Sequence, residues 1–216
     1  MTANGFRSQV LTSHFIAAEQ PTGKLIVVLH GRGDSYQGFL WMPEVLALPG
    51  VDYVLVNAPD EYYGGYSWYD LPPDQGPGVL RSRALLDQLF TELESAGRDP
   101  RDTLLFGFSQ GCLMTLEWGL RSDRPLAGYV GVSGYCYDVE AAIAEASELG
   151  RTARFLITHG TADAVVPYAP TAWQMARLQA AGFAVTFLSY DKDHTIDPTD
   201  ELPVLRQFIG GRLLEY

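Results

Sequence analysis

Residues 103–121 read TLLFGFSQGCLMTLEWGLR, and they hold two kinds of structure joined by a turn. The opening TLLFGF is a short apolar run without period-2 alternation, the pattern of a strand covered on both faces. Over 110–121 the apolar side chains of Cys112, Leu113, Met114, Leu116, Trp118 and Leu120 point nearly all round, which marks a buried helix. Between them stands Gly107-Phe108-Ser109-Gln110-Gly111. Alone, GxSxG fits a glycine turn with a capping serine. Between a buried strand and a buried helix it reads as a nucleophile elbow, where flanking glycines let backbones approach and leave the serine hydroxyl exposed.

Similar runs recur on either side. LIVVL at 25–29, YVLVN at 53–57, YVGV at 129–132, RFLIT at 154–158 and VTFLSY at 185–190 each predict a further buried strand. Helical spacing predicts helices over 78–96, stopped by Gly97, over 139–149, and over 170–181, opened by Pro170 and closed by Gly182. A last helix near 200–214 has Asp200 placed to cap it. Strand–helix alternation implies an α/β fold, a mostly parallel sheet with helices on both faces. The first twenty residues add one or two antiparallel edge strands. Residues 59–77, PDEYYGGYSWYDLPPDQGP, read as a long aromatic loop and a functional surface.

The chain has 216 residues, enough for one domain over 1–216 that buries about 70% of its unfolded surface. Apolar residues make up 47% and charged residues 19%, which excludes intrinsic disorder. A net charge of −11 repels phosphate backbones and anionic lipids, so nucleic acid and stable membrane association are not expected. Two cysteines, Cys112 and Cys136, form neither a disulfide framework nor a metal motif. No apolar run approaches the ~20 residues of a bilayer span, and the N-terminus lacks a secretory core segment, so a cytoplasmic protein is expected.

A serine hydroxyl needs a base, and the base needs an orienting carboxylate. In elbow-bearing sheets the acid and then the histidine follow on loops after later strands. Of the four histidines, only His194 lies just past the last strand run. His14 reads as surface, and His30 and His159 as hydrogen-bonded supports beneath the site. Asp163 follows RFLIT within HGTADAVVP and is the expected acid, ahead of Asp191, Asp193 and Asp197 on the histidine's own loop. For the oxyanion, the backbone N–H of Gln110 sits at a helix start, and that of Arg32 lies in the glycine-flanked turn after LIVVL. No GxxxxGK[ST] or GxGxxG is present, so that turn is not read as a phosphate loop.

With these residues placed, the chain resembles the α/β-hydrolases, and among them the phospholipase/carboxylesterase family that includes acyl-protein thioesterases. LHGRGDS at 29–35, SWYD at 67–70, GFSQG at 107–111 and HGTADAVVP at 159–167 match that family's segments in order. The resemblance implies Ser109, Asp163 and His194 as catalytic triad, Arg32 and Gln110 as oxyanion donors, and no cofactor or metal. It implies hydrolysis of small to medium acyl esters, with thioesters or lysophospholipids as further substrates, in a monomer or homodimer. The alternatives are a non-catalytic binder on the same fold, or a peptidase or acyltransferase using the same triad. About twenty residues between YVGVSG and RFLIT leave no room for a cap domain. Tyr66, Trp68 and Leu71, with Trp41 and Met42, are the expected walls of the acyl pocket. Three positions depart from the family: Cys112 and Asp193 replace usual glycines, and Arg32 a usual apolar residue. A cation at Arg32 favours polar or anionic esters over plain fatty chains.

Overall fold

Why the apolar runs lack alternation is plain once they are assembled. The computed structural model describes residues 5–214. In chain order come β1 (Ser13–Ile16), β2 (Leu25–Leu29), α1 (Met42–Leu46) and β3 (Asp52–Val56). A hairpin, β4 (Asp60–Tyr62) and β5 (Gly65–Ser67), leads to α2 (Gln75–Ser95). Then follow β6 (Thr103–Phe108), α3 (Gln110–Gly119), β7 (Gly128–Val132), α4 (Val139–Glu145), α5 (Glu148–Thr152) and β8 (Phe155–Gly160). The chain closes through α6 (Tyr168–Ala180), β9 (Val185–Tyr190) and α7 (Glu201–Leu213).

Seven strands form one sheet in the order β1-β3-β2-β6-β7-β8-β9. All neighbours are parallel except β1, which pairs antiparallel with β3. Leu25, Val27 and Leu29 of β2 face a core shared with α2, α3 and α6, while Ile26 and Val28 face a second core with α1 and α7. Both faces are therefore covered; β2 and β7 carry only apolar and aromatic residues, and the polar residues of β3 and β6, Asp52 and Thr103, stand at the strand starts with hydrogen-bond partners. The carboxyl ends of the parallel strands share one rim, where loops gather functional side chains.

Several elements differ from the sequence reading. Residues 59–77 are not all loop: they contain the β4–β5 hairpin, turned by Tyr63 and Gly64, both at positive φ as a type I′ turn requires. The helix expected over 139–149 is two, because Ala146 is extended and the Ser147 hydroxyl accepts the Gly150 N–H to start α5. Helix α6 begins at Tyr168, leaving Pro170 inside its first turn. Asp200 precedes α7, but its side chain makes no capping bond. Helix α1 has no counterpart in the sequence reading. One antiparallel edge strand, β1, arises from the N-terminal twenty; residues 1–4 lie outside the described residues.

Candidate active site

Ser109 sits between β6 and α3 at φ 54, ψ −114. Its glycines have separate steric reasons. A Cβ at Gly107 would stand 2.1 Å from the Gly111 carbonyl oxygen, and one at Gly111 would stand 2.2 Å from that of Leu29. Neither backbone can yield, so the turn requires glycine at both positions. The Ser109 N–H donates to the Val132 carbonyl at 2.8 Å, tying the turn to β7.

The Ser109 Oγ lies 2.9 Å from His194 Nε2, and His194 Nδ1 lies 2.7 Å from Asp163 Oδ2. An Nδ1–H donated to the carboxylate leaves Nε2 as acceptor for the serine hydroxyl. The side chain of Asp163 is fully buried, and its other oxygen accepts the N–H groups of Val165 and Val166 at 2.9 and 2.8 Å. Burial pushes its carboxyl up, but the His194 hydrogen bond, the Val165 and Val166 amides and the imidazole's charge outweigh it and hold the pKa below the ordinary value. The carboxylate therefore stays ionised, able to stabilise an imidazolium. The Phe108 ring packs against the imidazole at 5.1 Å.

Gly31 brings the loop after β2 against the serine: a Cβ there would stand 3.2 Å from Ser109 Cβ. The next residue is Arg32. Among the described residues, no acceptor takes the backbone N–H of Arg32 or of Gln110. The Gln110 side chain is turned away and clamps the strap 67–69: its Oε1 accepts Trp68 N–H at 2.9 Å and its Nε2 donates to the Tyr69 carbonyl at 2.7 Å.

Two of the expected pocket walls are corrected. Trp68 is wholly buried with its indole N–H on the His30 carbonyl, so it pins the strap to the body. Met42 is wholly buried in the second core, in one cluster with residues of β2, β3 and α7. Tyr66 and Trp41 are half-buried and Leu71 is exposed, which leaves them surface that a ligand could meet. His30 and His159 are buried, bonded respectively to Ala58 N–H and Gly31 carbonyl, and to the Val166 carbonyl. His14 is exposed and stacks on Tyr36. Asp191 and Asp193 are exposed, while Asp197 accepts the Thr199 and Asp200 amides. Among the described residues, no group of three or more His, Cys, Asp or Glu could hold a metal.

One pair went unforeseen. The Lys192 ammonium is buried and donates to both oxygens of Glu201 at 2.7 and 2.6 Å, and to the Thr195 carbonyl at 2.5 Å. It anchors the loop that carries His194. The chain has only two lysines, yet nothing in the periodicity marks this one as interior.

The family model described as phospholipase/carboxylesterase matches residues 12–211. Acyl-protein thioesterase 1 of Schizosaccharomyces pombe is 31% identical over 156 residues, 66% of this chain and 69% of that protein. The crystal structure of esterase PE8 superposes with TM-score 0.80 at 29% identity, over 92% of this chain and 97% of that one. Acyl-protein thioesterase 2 of Zea mays gives TM-score 0.77 at 25% identity, over 93% and 98%. With an elbow, a cap-free parallel sheet and this extent of similarity, the chain is an α/β-hydrolase enzyme and belongs to the phospholipase/carboxylesterase family.

Proposed function

We propose that this enzyme is a serine carboxylesterase in which Ser109, His194 and Asp163 act as nucleophile, base and orienting acid. The observation that carries this reading is the pair of hydrogen bonds, 2.9 and 2.7 Å, joining residues 85 and 31 positions apart in the chain. Ser109 Oγ attacks the acyl carbonyl as Nε2 of His194 takes its proton. The developing oxyanion accepts the N–H groups of Gln110 and Arg32, whose donors are otherwise unspent. Collapse returns the proton from His194 to the departing alcohol or thiol, and water then releases the acyl group by the same steps in reverse order.

The substrates we assign are small to medium acyl esters, thioesters among them. Ser109 and His194 are half-buried rather than sealed, and the β7–β8 connection is spent on α4 and α5, with nothing left to cover the site. No helix among the described residues is long and apolar enough to cross a membrane. Ser109→Ala should reduce p-nitrophenyl butyrate hydrolysis by orders of magnitude while the melting transition persists. Unchanged turnover would contradict the assignment. Rates on matched ester, thioester and amide substrates would separate an esterase from a thioesterase or peptidase.

A further inference from the structure

We propose that the Arg32 side chain forms an anion subsite beside Ser109, so that the enzyme selects esters bearing a carboxylate. The inference rests on the serine-esterase reading and names its substrate class. Arg32 follows Gly31, whose α-carbon faces Ser109 so closely that a Cβ would stand 3.2 Å from the serine Cβ. The next link, the Gly33 N–H, donates to the Tyr66 carbonyl at 2.8 Å, so the hairpin holds this loop. The guanidinium carbon lies 4.0 Å from the centroid of the Tyr62 ring. The Arg32 charge is also felt at the Tyr69 phenol, which burial and the neighbouring Tyr135 and Cys112 push up and Arg32 pulls down. The cation thus stacks on the hairpin, near enough to the strap 67–69 for its charge to act on Tyr69.

What it lacks is a counter-ion. Among the described residues no carboxylate comes within ion-pair distance of Arg32, whereas Arg83, Arg98, Arg121 and Arg124 each close such a pair. Asp34, two residues on, turns its carboxylate to the Ser35 N–H and against Gly38. The Arg32 Nε is buried with no hydrogen-bond partner. Stacking on Tyr62 occupies the face of the guanidinium and leaves its in-plane fork of donors unused, the geometry that matches a carboxylate. In a chain of net charge −11, a cation without a carboxylate partner on the loop that faces Ser109 is a local attraction for anions.

Two matched ester pairs test this. The acyl-side pair is p-nitrophenyl hexanoate and mono-p-nitrophenyl adipate; the leaving-group pair is methyl 4-butyryloxybenzoate and 4-butyryloxybenzoate. The quantity read is the ratio of kcat/KM, anionic over neutral, in wild type and in Arg32→Gln. The ratio is expected to fall about tenfold in Arg32→Gln for at least one pair, and less in Arg32→Lys. The pair that responds shows which end of the ester meets the cation. In wild type, raising salt from about 0.05 to 0.5 M should lower the same ratio, a readout that needs no variant to fold. A ratio equal in wild type and Arg32→Gln for both pairs overturns the proposal, as does a salt-independent wild-type ratio. Failure of wild type to hydrolyse any of the four esters would strike the esterase reading instead.

Discussion

At Ser109 the backbone is held where a side chain is rarely tolerated, φ 54 with ψ −114, and the surroundings enforce it. Its N–H is bound to Val132 and its carbonyl accepts Cys112 and Leu113 N–H. Such strain is legible in sequence because it demands glycine at 107 and 111. The accommodation of Cys112 is not. Its side chain fits because a Cβ at Gly131 or Gly134 would stand 2.5 Å from it, and those glycines are distant in the chain. Burial pushes the Cys112 thiol up to about 12, so it stays protonated and unreactive beside the site. Asp163 supports the sharpest single-residue test. In Asp163→Asn the amide oxygen would keep the Val165 and Val166 N–H bonds, which turns the NH2 toward His194 and disfavours the working tautomer. kcat should fall about 10³–10⁴-fold with folding intact, measured on p-nitrophenyl butyrate; a loss under tenfold would contradict the assigned role.

Among the elements, β2, β3, β6, β7 and β8 were legible because each is covered on both faces, whereas β9, expected to be buried, is an edge strand with Thr186 and Ser189 exposed. The β4–β5 hairpin was hidden because its residues, Asp60 to Ser67, are mostly polar or aromatic, a composition that also suits a loop. The β9–α7 connection hid something more consequential. Lys192 sends its ammonium inward to Glu201 while its carbonyl accepts Ala162 N–H from the loop that carries Asp163. One residue thus ties together the loops of the acid and the base. The Ser133 hydroxyl also accepts from Lys192, at 3.3 Å. Glu201→Gln would leave that ammonium buried without a charged partner. Unfolding free energy should drop by about 3–5 kcal/mol in urea titrations. A change below about 0.5 kcal/mol would show that the pair does not anchor the loop.

For the whole molecule, acidification probes what the core conceals. Burial lowers the His30 pKa against the Gly31 bond and Asp34, and lowers that of His159 against its bond to Val166 and the Asp163 charge. Both histidines are neutral in the fold, while the unfolded chain takes up protons near the usual ~6.5. Their contribution is therefore complete above that value and is lost as pH falls toward the depressed folded values, by at most about 1.4 kcal/mol per pH unit for each. Unfolding free energy followed from about pH 7.5 to 5.5 should decline, and decline less steeply in His30→Gln; identical slopes would contradict this. The sheet itself was legible from six apolar runs, and the meeting of Ser109, Asp163 and His194 from their places after β6, β8 and β9. The counter-ion of Lys192 and the inward turn of Trp68 were not, since each depends on contacts that no local pattern encodes. The central claim, that Ser109 is the activated nucleophile, is tested most directly by reaction with a fluorophosphonate followed by peptide mass spectrometry. One adduct per chain on Ser109, absent in His194→Ala, is the result expected; an unlabelled wild-type protein, or an adduct on another residue, would contradict it.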